Sequence, residues 1–290
     1  MALRSRAPGR HGQLLELDGR TGARRAKVPV GAVPTALAAH GRWIWVANGS
    51  LPGPSASLGA GSVQAFDAAS SGRLRLARRL LVPGPLALAS SGPDAWVVFS
   101  ASRTATPVRI GLLGRAGERT VGRLDATVAD ETTGAGPDVG MCAGRVSVAG
   151  TSRSGARVVV ASFDRSGRRV ALRTLRPGGT ATLVCADPPQ LAVVVSNVAS
   201  GGIVCLRPSA TCTARRFGAR TLAAAVAWRR SLVGLNPDQF GSAAGLDRYD
   251  PRTGRLLAAR AVPRAGPAFL AADGTRFFVL DARTIYRVTG

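Results

Sequence analysis

One phrase recurs along the whole of this 290-residue chain: an apolar run ends in Asp, a short turn ends in Gly, and an arginine-rich run follows. Four copies are marked by Asp18, Asp67, Asp164 and Asp250, and weaker copies centre on Gly114 and Arg207. The copies follow one another at about 43 to 50 residues, which is the period of blades made of four short strands. The sequence therefore predicts an all-β chain that forms a single β-propeller of four-stranded blades.

Each repeat contains a pair of further strand-like runs before its outer hairpin. The first run is rich in small residues, as expected of crowded strands nearest the axis, and recurs at 34–39, 85–90, 138–143, 180–186, 222–227 and 267–272. The second is hydrophobic, as expected of strands buried on both faces, and recurs at 43–48, 95–100, 145–150, 191–197, 231–236 and 277–281. No segment of 11 or more residues has helical periodicity, so helix should be nearly absent.

Six such pairs predict six blades, with residues 1–12 as a disordered N-terminal segment and 13–290 as the propeller domain. We expect 13–30 to supply an outer strand beside 284–289, because an open edge strand invites aggregation and the terminal strands would close the ring. One strand is then left over. The alternative is a seven-bladed ring with one incomplete blade, in which the true start lies upstream of Met1.

The formal net charge is +23, and Lys27 is the only lysine. A charge of this size attracts nucleic acid, anionic lipid or acidic glycopolymer. It is also typical of solvated strand faces in a chain from a GC-rich genome, and the spread of the arginines over the repeats favours this explanation. Most arginines fall in the outer-strand part of the repeats, including Arg24, Arg25, Arg73, Arg75, Arg78, Arg79, Arg168, Arg169, Arg173, Arg215, Arg216, Arg255 and Arg260.

The four cysteines form two sets. Cys205 and Cys212 are symmetric about a Pro208-Ser209 turn, a hairpin register that would let them form a disulfide. Cys142 and Cys185 lie in first strands of successive repeats, and we expect small buried residues there because packed sheets are about 10 Å apart. A bridge between them would need blades that converge at the axis. Disulfides favour an extracytoplasmic location, although no signal peptide precedes the repeats.

The segment Trp45-Val46-Ala47-Asn48, together with the D-x-x-T/S-G turns, resembles the YVTN-type bacterial β-propellers of the quinoprotein-like and WD-like group. The resemblance covers nearly the whole chain and implies the fold and little else. Members of the wider group include DNA-associated and surface-layer proteins, lactonases and a lyase.

Candidate ligand-binding residues end the second strands on the loop face, where propellers bind ligands. They are Asn48, Asn197, Asn236, Asp238 and Asp281. In a lactonase-like enzyme such side chains would hold a metal in the axial channel, whereas Asn and Asp also suit turns for conformational reasons. The turn Asp residues should accept backbone N–H bonds two residues on. His11 and His40 are the only histidines, so a His base is disfavoured.

A second candidate site combines aromatic rings with arginine. Trp45 and Trp96 alternate within blade strands and should be core, whereas Trp43 and Trp228 should be partly exposed. Stacking and charge together bind single-stranded nucleic acid. The polyanion candidates are Arg42, Trp43, Trp228, Arg229 and Arg230.

These observations favour a non-catalytic binding scaffold of the bacterial envelope or exterior, a monomer whose partner is a protein or an anionic polymer. We expect no metal, cofactor or membrane span. The alternative is a lactonase-type or lyase-type propeller enzyme acting on a small ligand in the axial channel, and a third possibility is a sensor propeller cut from a larger protein.

Overall fold

The structure, a computed structural model, is all-β in the part that it describes. It describes residues 2–4, 11–31, 33–49, 60–68, 74–102, 107–128, 136–176, 179–186, 190–197, 201–205, 214–217, 222, 224–236, 245–251, 253–262, 269–273, 276–280 and 285–289. The chain divides into two compact units, of which the first comprises 1–154 with 159–172, and the second 155–158 with 173–290.

Four sheets follow one another between residues 2 and 175. The first has three strands, β1 (Ala2–Arg4), β2 (Gln13–Leu17) and β3 (Arg24–Pro29). The second has four, β4 (Val33–His40), β5 (Trp43–Gly49), β6 (Ala60–Ala68) and β7 (Leu74–Pro83). The third contains β8 (Pro85–Ser90), β9 (Ala95–Phe99), β10 (Val108–Gly114) and β11 (Gly117–Leu124), and the fourth β12 (Asp138–Cys142), β13 (Arg145–Thr151), β14 (Val158–Phe163) and β15 (Arg169–Leu175).

Three sheets make up the described remainder. One contains β16 (Thr180–Ala186), β17 (Gln190–Asn197), β18 (Gly201–Cys205) and β19 (Ala214–Phe217). The next contains β20 (Ala224–Trp228), β21 (Ser231–Asn236), β22 (Gly245–Tyr249) and β23 (Leu256–Ala261). The last has three strands, β24 (Phe269–Asp273), β25 (Arg276–Leu280) and β26 (Ile285–Thr289). In every sheet each strand pairs with its neighbours in the chain.

Burial differs with a strand's place in its sheet, as the sequence pattern predicts. The second strands β5, β9, β13 and β21 are buried over nearly their whole length. The fourth strands β7, β11, β15 and β23 are largely exposed. The second strands are hydrophobic at successive positions because both of their faces pack against protein.

The hydrophobic core lies between consecutive sheets of the same unit. Trp45 packs with Val97 and Leu113 between the second and third sheets. Trp96 packs with Phe163, at 5.7 Å between ring centroids, between the third and fourth. Both indoles are buried, so the prediction that they are core residues is confirmed. The small first strands lie side by side, with β8 between β4 and β12 and with β20 between β16 and β24.

The terminal strands pair differently from the prediction. We expected 13–30 to lie beside 284–289, but β2 pairs with β1 and β3 instead, and β26 is the third strand of a separate sheet. The physical reason is that Ala2–Arg4 pairs with Gln13–Leu17, so a strand forms within the N-terminal segment where none was expected. The described strands thus form seven sheets, five with four strands and two with three.

The hairpin turns separate into two types. Asp18, Asp164 and Asp250 each begin a longer turn that contains a glycine at positive φ, respectively Gly22, Gly167 and Gly254. The third copy lacks the Asp, and its strands β10 and β11 are joined by the two residues Arg115 and Ala116 alone. A shorter turn therefore replaces the Asp-containing one where the repeat is weak.

The cysteine prediction was wrong for Cys142 and Cys185, both of which are disulfide-bonded. Strand pairing sets Cys142 opposite Arg145 at the end of β12, the position that His40 occupies in β4. Cys212 lies outside the described residues, as does the side chain of Cys205, so the bridge between them stays a prediction.

Candidate functional site: two arginine–tryptophan stacks and the outer strands

Two of the four turn aspartates, Asp18 and Asp164, accept turn hydrogen bonds as predicted. Asp18 Oδ1 accepts the N–H of Arg20 at 2.8 Å and that of Thr21 at 2.7 Å. Asp164 Oδ1 accepts the N–H and the hydroxyl of Ser166 at 3.0 and 2.6 Å. The backbone bond from Thr21 is the main cause that lowers the pKa of Asp18, and the Ser166 side chain is the main cause that lowers the pKa of Asp164. The ionised form of each carboxyl is therefore the one that closes the turn.

Asn48, the first of the predicted ligand-binding residues, is turned into the protein. Its side chain is 2 % exposed, and its amide donates to Gln64 Oε1 at 3.0 Å. The same oxygen accepts the N–H of Gly31 at 3.1 Å. A Cβ on Gly31 would meet Asn48 Cβ at 2.5 Å, so this position is a glycine because Asn48 occupies the space beside it. Gln64 on β6 thus joins Asn48 on β5 to Gly31, which precedes β4.

The other four predicted ligand-binding residues are described less fully. Asn236 ends β21 and is half-buried with a partner of its own. Asn197 ends β17, and its side chain is outside the description, as are Asp238 and Asp281. Within the described part of the chain, no three His, Cys, Asp or Glu side chains cluster as metal ligands would. No helix formed by these residues has the length and apolar character to cross a membrane.

Trp43, at the start of β5, lies against two arginines. The Cζ atoms of Arg42 and Arg78 are each 5.9 Å from the centroid of its ring, within the range of a cation–π contact. Arg42 is held in place by Asp67, to which its Nε donates at 2.7 Å and its Nη2 donates as well. This bond is the main cause that lowers the pKa of Asp67 and raises that of Arg42. We call Arg42, Trp43 and Arg78 the first stack.

Trp228, at the end of β20, has the same kind of neighbours. Arg229 Cζ is 4.5 Å from its ring centroid and Arg248 Cζ is 6.0 Å away. We call Arg229, Trp228 and Arg248 the second stack. The prediction of a partly exposed ring was wrong here, since Trp228 is 6 % exposed, because it packs with Val233, Leu246 and Val279. Arg230 is the next residue in the turn and is exposed.

The two stacks are equivalent in place but are built from different strands. Each lies at the tight turn between the first and second strands of its sheet, where His40 pairs with Trp43 and Trp228 with Ser231. In the first stack the strand arginine, Arg78, is on the fourth strand and pairs with Ala65 on the third.

In the second stack the order is reversed, because Arg248 is on the third strand and pairs with Ala258 on the fourth. Paired residues share a sheet face, so either arrangement brings one guanidinium to the tryptophan.

Both stacks contain a buried guanidinium nitrogen without a hydrogen-bond partner among the described residues, and the second stack also contains an arginine at positive φ. Arg78 Nη1 and Arg248 Nε are buried and have no hydrogen-bond partner among the described residues, which costs about 1–3 kcal/mol for an ordinary donor. Arg229 has a φ of 53°, which costs a residue other than glycine about 1–2 kcal/mol. Such costs concentrate at functional sites.

The fourth strands carry exposed arginines and exposed apolar side chains together. On β7, Arg75 and Arg79 are exposed beside Leu76 and Leu81. Every large hydrophobic residue found exposed in the described structure is on a fourth strand: Leu76, Leu81, Val170, Leu172, Leu256 and Leu257.

Sequence reasoning missed both Arg78 and Arg248 as members of the stacks, and it missed the exposed leucines. The Leu-Arg-Leu-Ala-Arg-Arg-Leu-Leu run at 74–81 was the available signal for the leucines.

Comparison with solved structures identifies the fold. Hydrazine synthase of Kuenenia stuttgartiensis is similar over 94% of this chain and 88% of its own, with a TM-score of 0.65 and 16% identity. Hsv2 of Kluyveromyces marxianus is similar over 89% and 72% (TM-score 0.57, 11% identity). The β-propeller domain of the Trilobed protease from Pyrococcus furiosus is similar over 89% and 83% (TM-score 0.54, 7% identity).

At these identities the similarities show a β-propeller fold. No protein-family model matches the sequence, and neither does any curated protein.

Proposed function

We propose that this β-propeller is a non-catalytic binding scaffold that acts outside the cytoplasm and takes an anionic polymer as its partner. The observation that carries the proposal is the pair of arginine–tryptophan stacks at equivalent turns. In both, a guanidinium nitrogen is buried without a partner among the described residues, beside an indole ring. If the arginine turns toward solvent, an anionic oxygen would satisfy that donor, and charge-assisted bonds are about twice as strong as neutral ones.

The net charge of +23 supports the same partner. Exposed arginines on the fourth strands would draw a polyanion to the surface over a Debye length of about 8 Å in physiological salt. The disulfide-bonded state of Cys142 and Cys185 is consistent with an oxidising compartment.

The backbone of Arg229 supports a role for the second stack in binding. An exposed cation–π contact contributes about 0.5–1 kcal/mol, less than the 1–2 kcal/mol or so that a positive φ costs an arginine. The folded state alone therefore favours glycine at this position. An arginine at a position where the fold favours glycine is expected if its side chain binds a ligand.

The test is binding of oligo-dT and of heparin at several salt concentrations. We expect the affinity for both to fall steeply with salt, because binding releases counterions from the polymer. Arg229→Gly should weaken both several-fold while raising the unfolding free energy by about 0.5–1 kcal/mol. The matched control is Ala143→Gly, since Ala143 has a φ of 49° in the corresponding turn of the fourth sheet and no charge.

Ala143→Gly should stabilise the fold and leave binding unchanged. Trp43→Leu should weaken oligo-dT but not heparin, because only bases stack on the ring. Salt-independent binding, or no binding to either polymer, would rule out the polyanion function. Equal effects of Arg229→Gly and Ala143→Gly on binding would exclude the second stack as a contact.

A further inference from the structure

We propose that the fourth strand β7 docks on the surface of an anionic lipid bilayer, with Leu76 and Leu81 entering the headgroup region between arginines. The inference rests on the proposed function, since the same positive charge would hold the protein at an anionic surface, and it goes beyond that function by adding a lipid bilayer as a second partner.

The first observation is the exposure of two leucines on one strand. Leu81 is 78% and Leu76 is 53% exposed. Strand pairing sets Leu76 opposite Phe66, Arg79 opposite Gln64 and Leu81 opposite Ser62. Since residues 62, 64 and 66 alternate along β6, Leu76, Arg79 and Leu81 share one face of the sheet. That face presents a cation between two apolar side chains.

The second observation is the charge beside these leucines. Arg75 and Arg79 are exposed on the same strand, and β7 contains no acidic residue. Arginine can keep its guanidinium at the level of lipid phosphates while its methylene stem covers apolar surface. Leucine gains from leaving water at the same depth, about 5–10 Å into the boundary between headgroups and acyl chains.

The third observation is that two other fourth strands also expose apolar side chains next to arginine, although their sequences differ from that of β7. The strand β15 exposes Val170 and Leu172 next to Arg169, and β23 exposes Leu256 and Leu257 after the exposed Arg255. All three strands thus combine exposed apolar side chains with exposed arginine. A protein partner requires a matched shape at each strand, whereas a bilayer accepts any edge that is both cationic and apolar. A linear polyanion such as heparin has no apolar surface with which leucine could pack.

The experiment is flotation of the full chain with vesicles of phosphatidylcholine alone or with about 30% phosphatidylglycerol. We expect binding only to the anionic vesicles, and the Leu76→Ser/Leu81→Ser double variant should bind them roughly tenfold more weakly. Its affinity for heparin should equal that of the wild type. Ala77→Ser, an exposed position on the same strand, is the matched control and should change neither. Far-UV circular dichroism melts check that all variants fold.

Each outcome bears on the proposal. Anionic-vesicle binding that the leucine variant retains in full would overturn insertion. Heparin binding without vesicle binding would overturn the lipid surface and leave the proposed function standing, whereas loss of both would overturn the two together. Leucine-dependent binding to an acidic protein such as prothymosin, in place of vesicles, would assign the strand to a protein partner.

Discussion

The aspartates of the recurring turns have different roles, which depend on the hydrogen-bond donors that lie near each carboxylate. In Asp18 and Asp164 the carboxylate gathers N–H and hydroxyl donors from the next four residues and closes a turn. Asp67 instead orients Arg42 beside Trp43. The pKa is lowered in all three. The recurring Asp is therefore a turn residue at Asp18 and Asp164, whereas Asp67 positions a candidate ligand-binding side chain.

These lowered pKa values predict an acid-sensitive fold. A carboxyl with a folded-state pKa below its unfolded value of about 4 stabilises the protein above that pH, and the stabilisation is lost as the pH falls toward the folded-state pKa. The denaturation midpoint in urea should therefore be constant near neutrality and should fall below about pH 4. In Asp18→Asn, which keeps an acceptor oxygen but cannot ionise, the fall should be smaller.

Urea denaturation followed by tryptophan fluorescence at about pH 7 and about pH 3, on either side of the ordinary aspartate pKa, measures this effect. Asp125, an exposed aspartate outside the Asp turns, is the control, and Asp125→Asn should behave as wild type. A midpoint that falls equally in Asp18→Asn and wild type would show that this turn does not contribute.

At the scale of strands and sheets, tryptophans have two roles. Trp45 and Trp96 fill the space between consecutive sheets, where the sequence pattern predicted core residues. Trp43 is half-buried at the edge of that core and faces two guanidinium groups. Trp43 and Trp45 are two positions apart on β5 and share one face of the sheet. Trp45 packs in the core, whereas Trp43 is a candidate binding residue.

The difference predicts a difference in stability. Trp96→Ala should lower the unfolding free energy by about 3–5 kcal/mol, because it leaves a cavity beside Phe163. Trp43→Ala should cost less than half as much, since part of its ring already contacts solvent. Equilibrium denaturation of both variants tests this expectation, and equal losses would contradict the assignment of Trp43 to the periphery.

For the whole molecule, the oxidised state of two cysteines was the feature hardest to foresee. Cys142 and Cys185 lie in β12 and β16, and their places in the repeat suggested two small buried residues. Both are disulfide-bonded instead. A crosslink stabilises a fold mainly by restricting the unfolded chain.

The prediction is that Cys142→Ala lowers the unfolding free energy by about 2–5 kcal/mol, and that dithiothreitol has a similar effect on the wild type but little further effect on the variant. Thr174→Ala, a small substitution at an exposed position of the same sheet, is the control. Alkylation of the unreduced, denatured chain should leave Cys142 and Cys185 unmodified. Alkylation of either without reduction would contradict their oxidised state.

Local features were predictable because their causes are local. The strands β8, β16 and β21 have the bounds that the repeat predicted, since alternation, apolar runs and turn residues are read over a few positions. The Asp turns were predictable for the same reason, because donor and acceptor lie within four residues. Candidate site residues were predictable only in part: Arg42, Trp43 and Arg229 adjoin or form the tight turns, whereas Arg78 and Arg248 are distant in sequence.

Sequence alone was thus sufficient for the repeat, the strand order within each blade and the aspartate turns, all of which arise from contacts between close neighbours in the chain. Only the tertiary structure decided which arginines reach Trp43 and Trp228, that Ala2–Arg4 pairs with Gln13–Leu17, that Asn48 faces Gln64, and that Cys142 and Cys185 are oxidised. These depend on strand register and on packing between residues far apart in the chain, and several registers satisfy the same alternation of apolar and polar residues.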